Sequence, residues 1–244
     1  MTGLRHARFQ NMIELVGVDA DDTLWHNEPL YTHRRERFRE LLARYEPEGV
    51  LDDHLYEVEL RNLRHFGYGV KGFVLSMIET AIEITHGRIE SQDVSTIIDW
   101  GREMLASPTE LLAGVSEAIE SLGEQFPLVL VTKGDLLDQQ SKLARSGLAH
   151  HFKGIEIVSE KDAGTYTRVM ARYAVEPRRF VMVGNSLRSD ILPAIEAGAH
   201  AVYVPYEMSW IHERVPAEAL ANVHYHEIAH MRDLPVLLNR LDRD

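Results

Sequence analysis

The chain has no cysteine, so neither a disulfide framework nor thiol chemistry is open to it. It is short of positive charge: 26 lysines and arginines stand against 38 aspartates and glutamates, a formal charge of −12. That balance argues against nucleic-acid binding, which needs a basic surface to neutralise phosphates. A small anionic substrate stays possible, because a few local cations and a metal outweigh a distant field. No apolar run approaches the length of a membrane span. Residues 1–12 carry Arg5, His6 and Arg8 but no sustained apolar region, so no secretory signal is visible. A soluble cytoplasmic protein without membrane contact is expected. Internal repeats and low-complexity tracts are also missing. At 244 residues the length suits one large domain or a core with an insertion.

The most informative stretch runs from Leu15 to Trp25. A short apolar run, Leu15 to Val18, reads as a buried strand and ends abruptly in Asp19, Asp21 and Asp22. Such runs are interior strands of parallel sheets, and ligands sit beyond the carboxyl ends of those strands. If the chain is still extended there, Asp19 and Asp21 share one side of it. Two carboxylates 4 Å apart repel by roughly 4 kcal/mol at a surface-like dielectric. A fold tolerates them when one is protonated or a cation binds. A lone D-x-D is more often a strand-end turn. A helix–loop–helix calcium site fails, because the sixth and twelfth positions from Asp19 are Leu24 and Leu30.

Residues 30–106 show no further strand pattern. Phe38, Leu41, Leu42 and Tyr45 fall at helical spacing, as do Phe73, Met77, Ile78, Ala81 and Ile82. Val94, Ile97, Ile98, Gly101, Met104 and Leu105 repeat the stripe, which reads as core. The region is expected to be a helical insertion, with Phe66 to Phe73 a glycine-rich connection. After Ser107-Pro108 strands and helices alternate. Strands are expected at Leu128–Val131, Ile155–Val158, Phe180–Val183 and Ala201–Val204, with a short one at Val223–Tyr225. Helices are expected from Val115 to Leu122, Asp135 to Arg145, Ala163 to Tyr173 and Asp190 to Ala197, with a last one near Leu234 to Leu241. This alternation predicts an α/β fold, a doubly wound parallel sheet completed by the first strand. Residues 1–29 and 107–244 would form that core, and 30–106 a helical cap.

Each core strand then ends in residues suited to phosphate chemistry. The second ends in Thr132-Lys133-Gly134 before a helix, whose free N–H groups favour an anion. The third is followed by Lys161, an ammonium. The fourth ends in Gly184-Asn185 and reaches Asp190, oxygen ligands for a hard cation. Singly, each has a plain structural explanation; together, at one sheet edge, they point to a site.

D-x-D-x-T-L at Asp19 to Leu24, the apolar run ending in Thr132, Lys161 with its following helix, and Gly184 to Asp190 resemble the haloacid dehalogenase superfamily, dominated by magnesium-dependent phosphatases. The resemblance covers the whole chain and places the first strand between the second and fourth. It implies a Rossmann-like core, a helical cap, Mg²⁺ as cofactor and a small phosphorylated metabolite as substrate. Catalytic roles would fall to Asp19 as nucleophile, Asp21 as proton donor and acceptor, and Thr132 and Lys161 as stabilisers of phosphoryl charge. Asp21 must start protonated, which a neighbouring carboxylate and partial burial would promote. Asp19, Asp21, Asn185 and Asp190 would hold the metal, Asp21 through its backbone carbonyl. Lys133, Gly134, Trp25 and Lys71 are candidates for substrate contact, with His26 beside Trp25. Asp22 and Thr23 read as structural, Arg188 as either a phosphate contact or a surface residue. His224, His226 and His230 show no metal spacing. Many members carry an acid where Asn185 stands, so one formal charge is missing and weaker metal binding is expected. Alternatives on the same fold are a phosphomutase, a haloacid dehalogenase, and a non-catalytic binding module.

Overall fold

The computed structural model describes residues 13–45, 51–208, 213, 215–221 and 223–243; residues 1–12, with Arg5, His6 and Arg8, lie outside them. Six strands form one sheet: β1 (Leu15–Val18), β2 (Leu128–Lys133), β3 (Phe152–Val158), β4 (Phe180–Gly184), β5 (His200–Tyr203) and β6 (His226–Glu227). Their order is β3-β2-β1-β4-β5-β6, and every pairing is parallel. The first strand therefore lies centrally. The order reverses between β1 and β4, and a crevice opens at such a switch point.

Side chains alternate across the sheet, as the pleat requires. Val16, Val18, Leu128, Leu130, Val181, Val183 and Val202 enter one core with residues of α5 (Val115–Gly123) and α9 (Leu234–Leu241). Leu15, Val129, Val131, Phe180 and Met182 enter the other, with Tyr166, Val169 and Met170 of α7 (Ala163–Arg172). Both faces are covered, which is why these strands read as unbroken apolar runs. Gly17 belongs to the close packing between β1 and β4. A Cβ there would stand 2.5 Å from Phe180 Cζ.

Between β1 and α5 lie four helices, α1 (Glu28–Leu42), α2 (Leu51–Phe66), α3 (Val70–Ile84) and α4 (Ser91–Ala106). They have their own core, built from Phe38, Leu42, Leu55, Val70, Phe73, Met77, Ala81, Ile97, Trp100 and Met104. The two chain segments joining this unit to the sheet run side by side. Leu112 N–H donates to Leu24 C=O at 3.0 Å and His26 N–H to Glu110 C=O at 3.0 Å. Among the described residues the remaining α-helices are α6 (Leu136–Ser146) and α8 (Leu192–Glu196).

The structure moves several expected boundaries. β3 begins at Phe152 rather than Ile155, because its outer residues pair with β2 although one side is partly exposed. Val223–Tyr225 is not a strand; β6 follows at His226, where the backbone comes into register with Val202. Asp190 does not open the eighth helix but lies in a wide π-helical turn, Leu187–Ile191, ahead of it.

Candidate active site

Asp19 leaves the end of β1 with its N–H bonded to Val183 C=O at 2.9 Å, so it is anchored to β4. Its carboxylate is almost wholly buried. One oxygen meets the Lys161 ammonium, and the other accepts from Thr23 Oγ1 at 2.9 Å. Lys161 Nζ also donates to Asp190 Oδ1 at 2.6 Å, while Asp190 Oδ2 accepts from Ser186 N–H at 3.0 Å. Glycine at 184 is required here, since a Cβ would collide with the Asp190 carboxylate. Burial works against the Lys161 charge, but the Asp19 and Asp190 carboxylates outweigh it and hold the ammonium firmly protonated. Burial, then Asp19, pushes Asp190 upward, with Lys161 opposing. Residues from three strand ends thus meet in one buried cluster, two acids around one base.

Asp21 stands beside this cluster in a different setting. Its carboxylate accepts from Trp25 Nε1 at 2.7 Å, from Gln139 Nε2 at 2.8 Å and from Lys142 Nζ at 3.0 Å. Three donors therefore surround this carboxylate, while its neighbour Asp19 is paired with Lys161. Lys142 and Gln139 project from α6, one turn apart. Lys142 also donates to Asn27 Oδ1 at 2.9 Å and faces Asp138 at 3.4 Å. Burial lowers the Lys142 ammonium, yet Asp21 and Asp138 more than restore it, leaving it above the usual lysine value. Sequence reading missed both. The signal, visible afterwards, is a lysine and a glutamine at i and i+3 on the helix directly after the Thr132 strand end.

The other expected residues separate. Thr132 is buried and lines the same cavity as Asp19, as do Lys133 and Gly134. Lys133 turns its ammonium toward Ser189 Oγ (2.9 Å) and Glu213 Oε1 (2.7 Å), with the Tyr68 ring 4.1 Å away. Burial raises Glu213, but Lys133 and the Ser186 and Ser189 hydroxyls bring it down to about 2. Trp25 is buried and serves Asp21 through its indole N–H instead of lining the cavity. Lys71 is also off the lining: it bridges α3 to Asp135 Oδ2 at 2.9 Å, joining the helical unit to the start of α6. His26 is exposed and bonded to Tyr206 at 2.7 Å, and Arg188 is exposed.

Asn185 stands beside the Asp19 carboxylate. One polar end of its amide lies 3.2 Å from Asp19 Oδ2, 3.1 Å from Thr23 Oγ1 and 3.3 Å from the Asp21 carbonyl oxygen. With nitrogen inward, the amide donates to these oxygens. With oxygen inward, Asp19, Asp21 and Asn185 present converging oxygens that a cation would draw together. Adjacent ligands of an octahedral Mg²⁺ stand about 3 Å apart, so the spacing suits a small hard ion. Asp190 has its oxygens engaged by Lys161 and the Ser186 N–H. No cluster of three His, Cys, Asp or Glu side chains fit for a metal exists among the described residues, the three tail histidines included. A cation here would therefore depend on carbonyl and amide oxygens beside Asp19.

Asp22 accepts from Asn27 N–H (2.8 Å) and Glu28 N–H (3.0 Å) at the start of α1. Its φ of 61° is left-handed, a conformation that Asp adopts more readily than most residues. Burial pushes it up to about 7 despite those donors.

A cavity of about 440 Å³ joins these groups, floored by Asp19, Asp21, Thr132 and Lys161 and walled by α1, α2 and α3. That volume lies within the usual range for small-molecule pockets.

A family model described as haloacid dehalogenase-like hydrolase matches residues 13–198. Among solved structures, a haloacid dehalogenase-like family hydrolase from Xanthomonas campestris is 41% identical, with TM-score 0.85, over 99% of this chain and 95% of that one. The L-2-haloacid dehalogenase from Xanthobacter autotrophicus, with chloropropionic acid covalently bound, shares the fold at 16% identity and TM-score 0.61, over 93% of this chain and 98% of that one. Of curated proteins, glyceraldehyde 3-phosphate phosphatase from Methanothermobacter thermautotrophicus is 31% identical over 38% of this chain and 44% of its own length. N-acylneuraminate-9-phosphatase from Mus musculus is 27% identical over 52% of each. The chain spans about half the length of these two curated relatives. With the sheet order, the Asp19–Lys161–Asp190 cluster and a model match across most of its length, this chain belongs to the haloacid dehalogenase-like hydrolases.

Proposed function

We propose that the chain is a magnesium-dependent phosphatase that hydrolyses a small phosphomonoester through an aspartyl-phosphate. The observation that carries this reading is the second acid. Asp21 is oriented by three donors at the rim of the same cavity as Asp19, where a leaving-group oxygen would lie. The phosphatase names among the relatives support it.

Asp19 attacks phosphorus in line, forming a carboxyl-oxygen–phosphorus bond while the ester P–O bond breaks. Asp21 passes a proton to the departing oxygen and then takes one from the water that attacks the phosphoryl group, releasing inorganic phosphate and restoring Asp19. Lys161 holds Asp19 in place and, with the Thr132 hydroxyl, faces the charge on the transferring oxygens. Asp190 holds Lys161. Asp19, the Asp21 carbonyl and Asn185 would bind Mg²⁺, whose charge offsets repulsion between carboxylate and phosphate dianion.

The test is a panel of phosphorylated metabolites with and without Mg²⁺, alongside Asp19→Asn. The variant is expected to lose at least about a thousandfold in turnover and to melt as the parent does. Near-parental turnover by the variant would end the assignment. Carbon–halogen hydrolysis is the second reading, because an inward Asn185 nitrogen completes the hydrogen bonding around Asp19 without a cation. Halide release from a 2-haloacid without magnesium would favour it.

A further inference from the structure

Part of the cavity wall belongs to the helical unit, and there two carboxylates share one guanidinium. Arg35 donates from Nη1 to Glu28 Oε1 at 2.8 Å, and its Nη2 lies 3.6 Å from Glu59 Oε1. All three line the cavity. Their side chains are only 19%, 12% and 8% exposed for Arg35, Glu28 and Glu59, so water screens them poorly. One guanidinium therefore serves two carboxylates, and its carbon sits 5.3 Å from the centre of the Phe73 ring. With both glutamates ionised the trio carries one net negative charge. Tyr31, Asn62, Tyr68 and Ser76 complete this wall with neutral polar groups.

The other lining cations are committed elsewhere. Lys161 is held between Asp19 and Asp190, Lys133 is bonded to Glu213, and Lys142 lies against Asp21 and Asp138. Among the described lining residues, a carboxylate on the leaving group would find no cation without a partner and would meet Glu28 and Glu59 at close range. An ammonium or hydroxyl would donate to those same oxygens and relieve the imbalance.

We infer that the cavity selects phosphomonoesters whose leaving group presents N–H or O–H donors, amino alcohols before polyols, and discriminates against leaving groups bearing a carboxylate. This rests on the phosphatase reading above and names the substrate class for it. Glu28 and Glu59 are the specificity-determining residues.

The experiment compares 2-aminoethyl phosphate with phosphoglycolate, which differ chiefly in ammonium against carboxylate, with glycerol phosphate between them and p-nitrophenyl phosphate as reference. kcat/KM is expected to be at least about tenfold higher for the amine than for the acid, mostly through KM. Glu59→Gln and Glu28→Gln should each shrink that ratio, and two variants guard against one failing to fold. Phosphoglycolate turned over as well as the amine, or a ratio unmoved in both folded variants, overturns the inference while the phosphatase reading stands. Failure to hydrolyse even p-nitrophenyl phosphate in the presence of magnesium would overturn that reading, and this inference with it.

Discussion

Asp21 owes its orientation to two residues far from it in sequence and to one close by. Lys142 and Gln139 reach it from α6 and Trp25 from the following turn, all through short hydrogen bonds. Replacing Lys142 by methionine leaves Asp21 and Asp138 facing each other without their shared cation. Breaking a buried pair in this way costs about 3–5 kcal/mol. Lys142→Met should therefore lower the urea midpoint and reduce kcat more than it raises KM. A variant with parental kcat would show that Asp21 needs no such support. Asn185 makes a second argument at this scale. Asn185→Asp adds a charge to the oxygen set beside Asp19, so Mg²⁺ should bind several-fold more tightly and the metal-free protein should melt lower. Calorimetric titration with the ion and melting curves without it read the two effects separately. An unchanged affinity would mean that Asn185 does not face the ion.

Among the elements, α1 shows how site and fold share residues. Its first backbone N–H groups are bound by Asp22, which sits in the strained turn after Asp21. Burial raises the Asp22 carboxyl to about 7 from an ordinary 3.8. Below about pH 4 the group is protonated in both folded and unfolded chains. Between the two values the folded chain holds a proton the unfolded chain has released, so stability falls as pH rises; above about 7 the penalty is complete. Asp22→Asn keeps an acceptor for the α1 amides, and asparagine tolerates the left-handed backbone. It should raise the melting temperature at pH 8 and change it little at pH 4.5. Equal shifts at both pH values would contradict the titration. The short elements also explain where sequence reading slipped. A two-residue strand such as β6 carries no period of its own, and its place follows from β5. The π-helical turn that delivers Asp190 resembles an ordinary helix start until its wide backbone is seen.

For the whole molecule, the division of labour lies between sheet and helical unit. The sheet brings Asp19, Thr132, Lys161 and Asp190 to one edge, whereas α1, α2 and α3 close a cavity of about 440 Å³ over it. In a chain of net charge −12, Lys133, Lys142 and Lys161 place local cations in the cavity lining, each paired with carboxylates close by. No helix among the described residues is long and apolar enough to cross a membrane.

Order along the chain was enough to reveal the parallel sheet, and Asp19, Lys161 and Asp190, named from it, meet in one cluster. Apolar strands covered on both faces carry their signal in consecutive letters, and the groups at their ends are drawn to one edge by topology alone. Which way each side chain turns was decided by three-dimensional packing. Lys71 and Trp25 looked like substrate contacts but became a bridge to Asp135 and a support for Asp21, while Lys142, Gln139, Glu28, Arg35 and Glu59 passed unnoticed. Charged and amide groups on helices have no period that distinguishes a solvated face from a cavity wall. Only the approach of a second element, bringing a partner within hydrogen-bond reach, gives them a role.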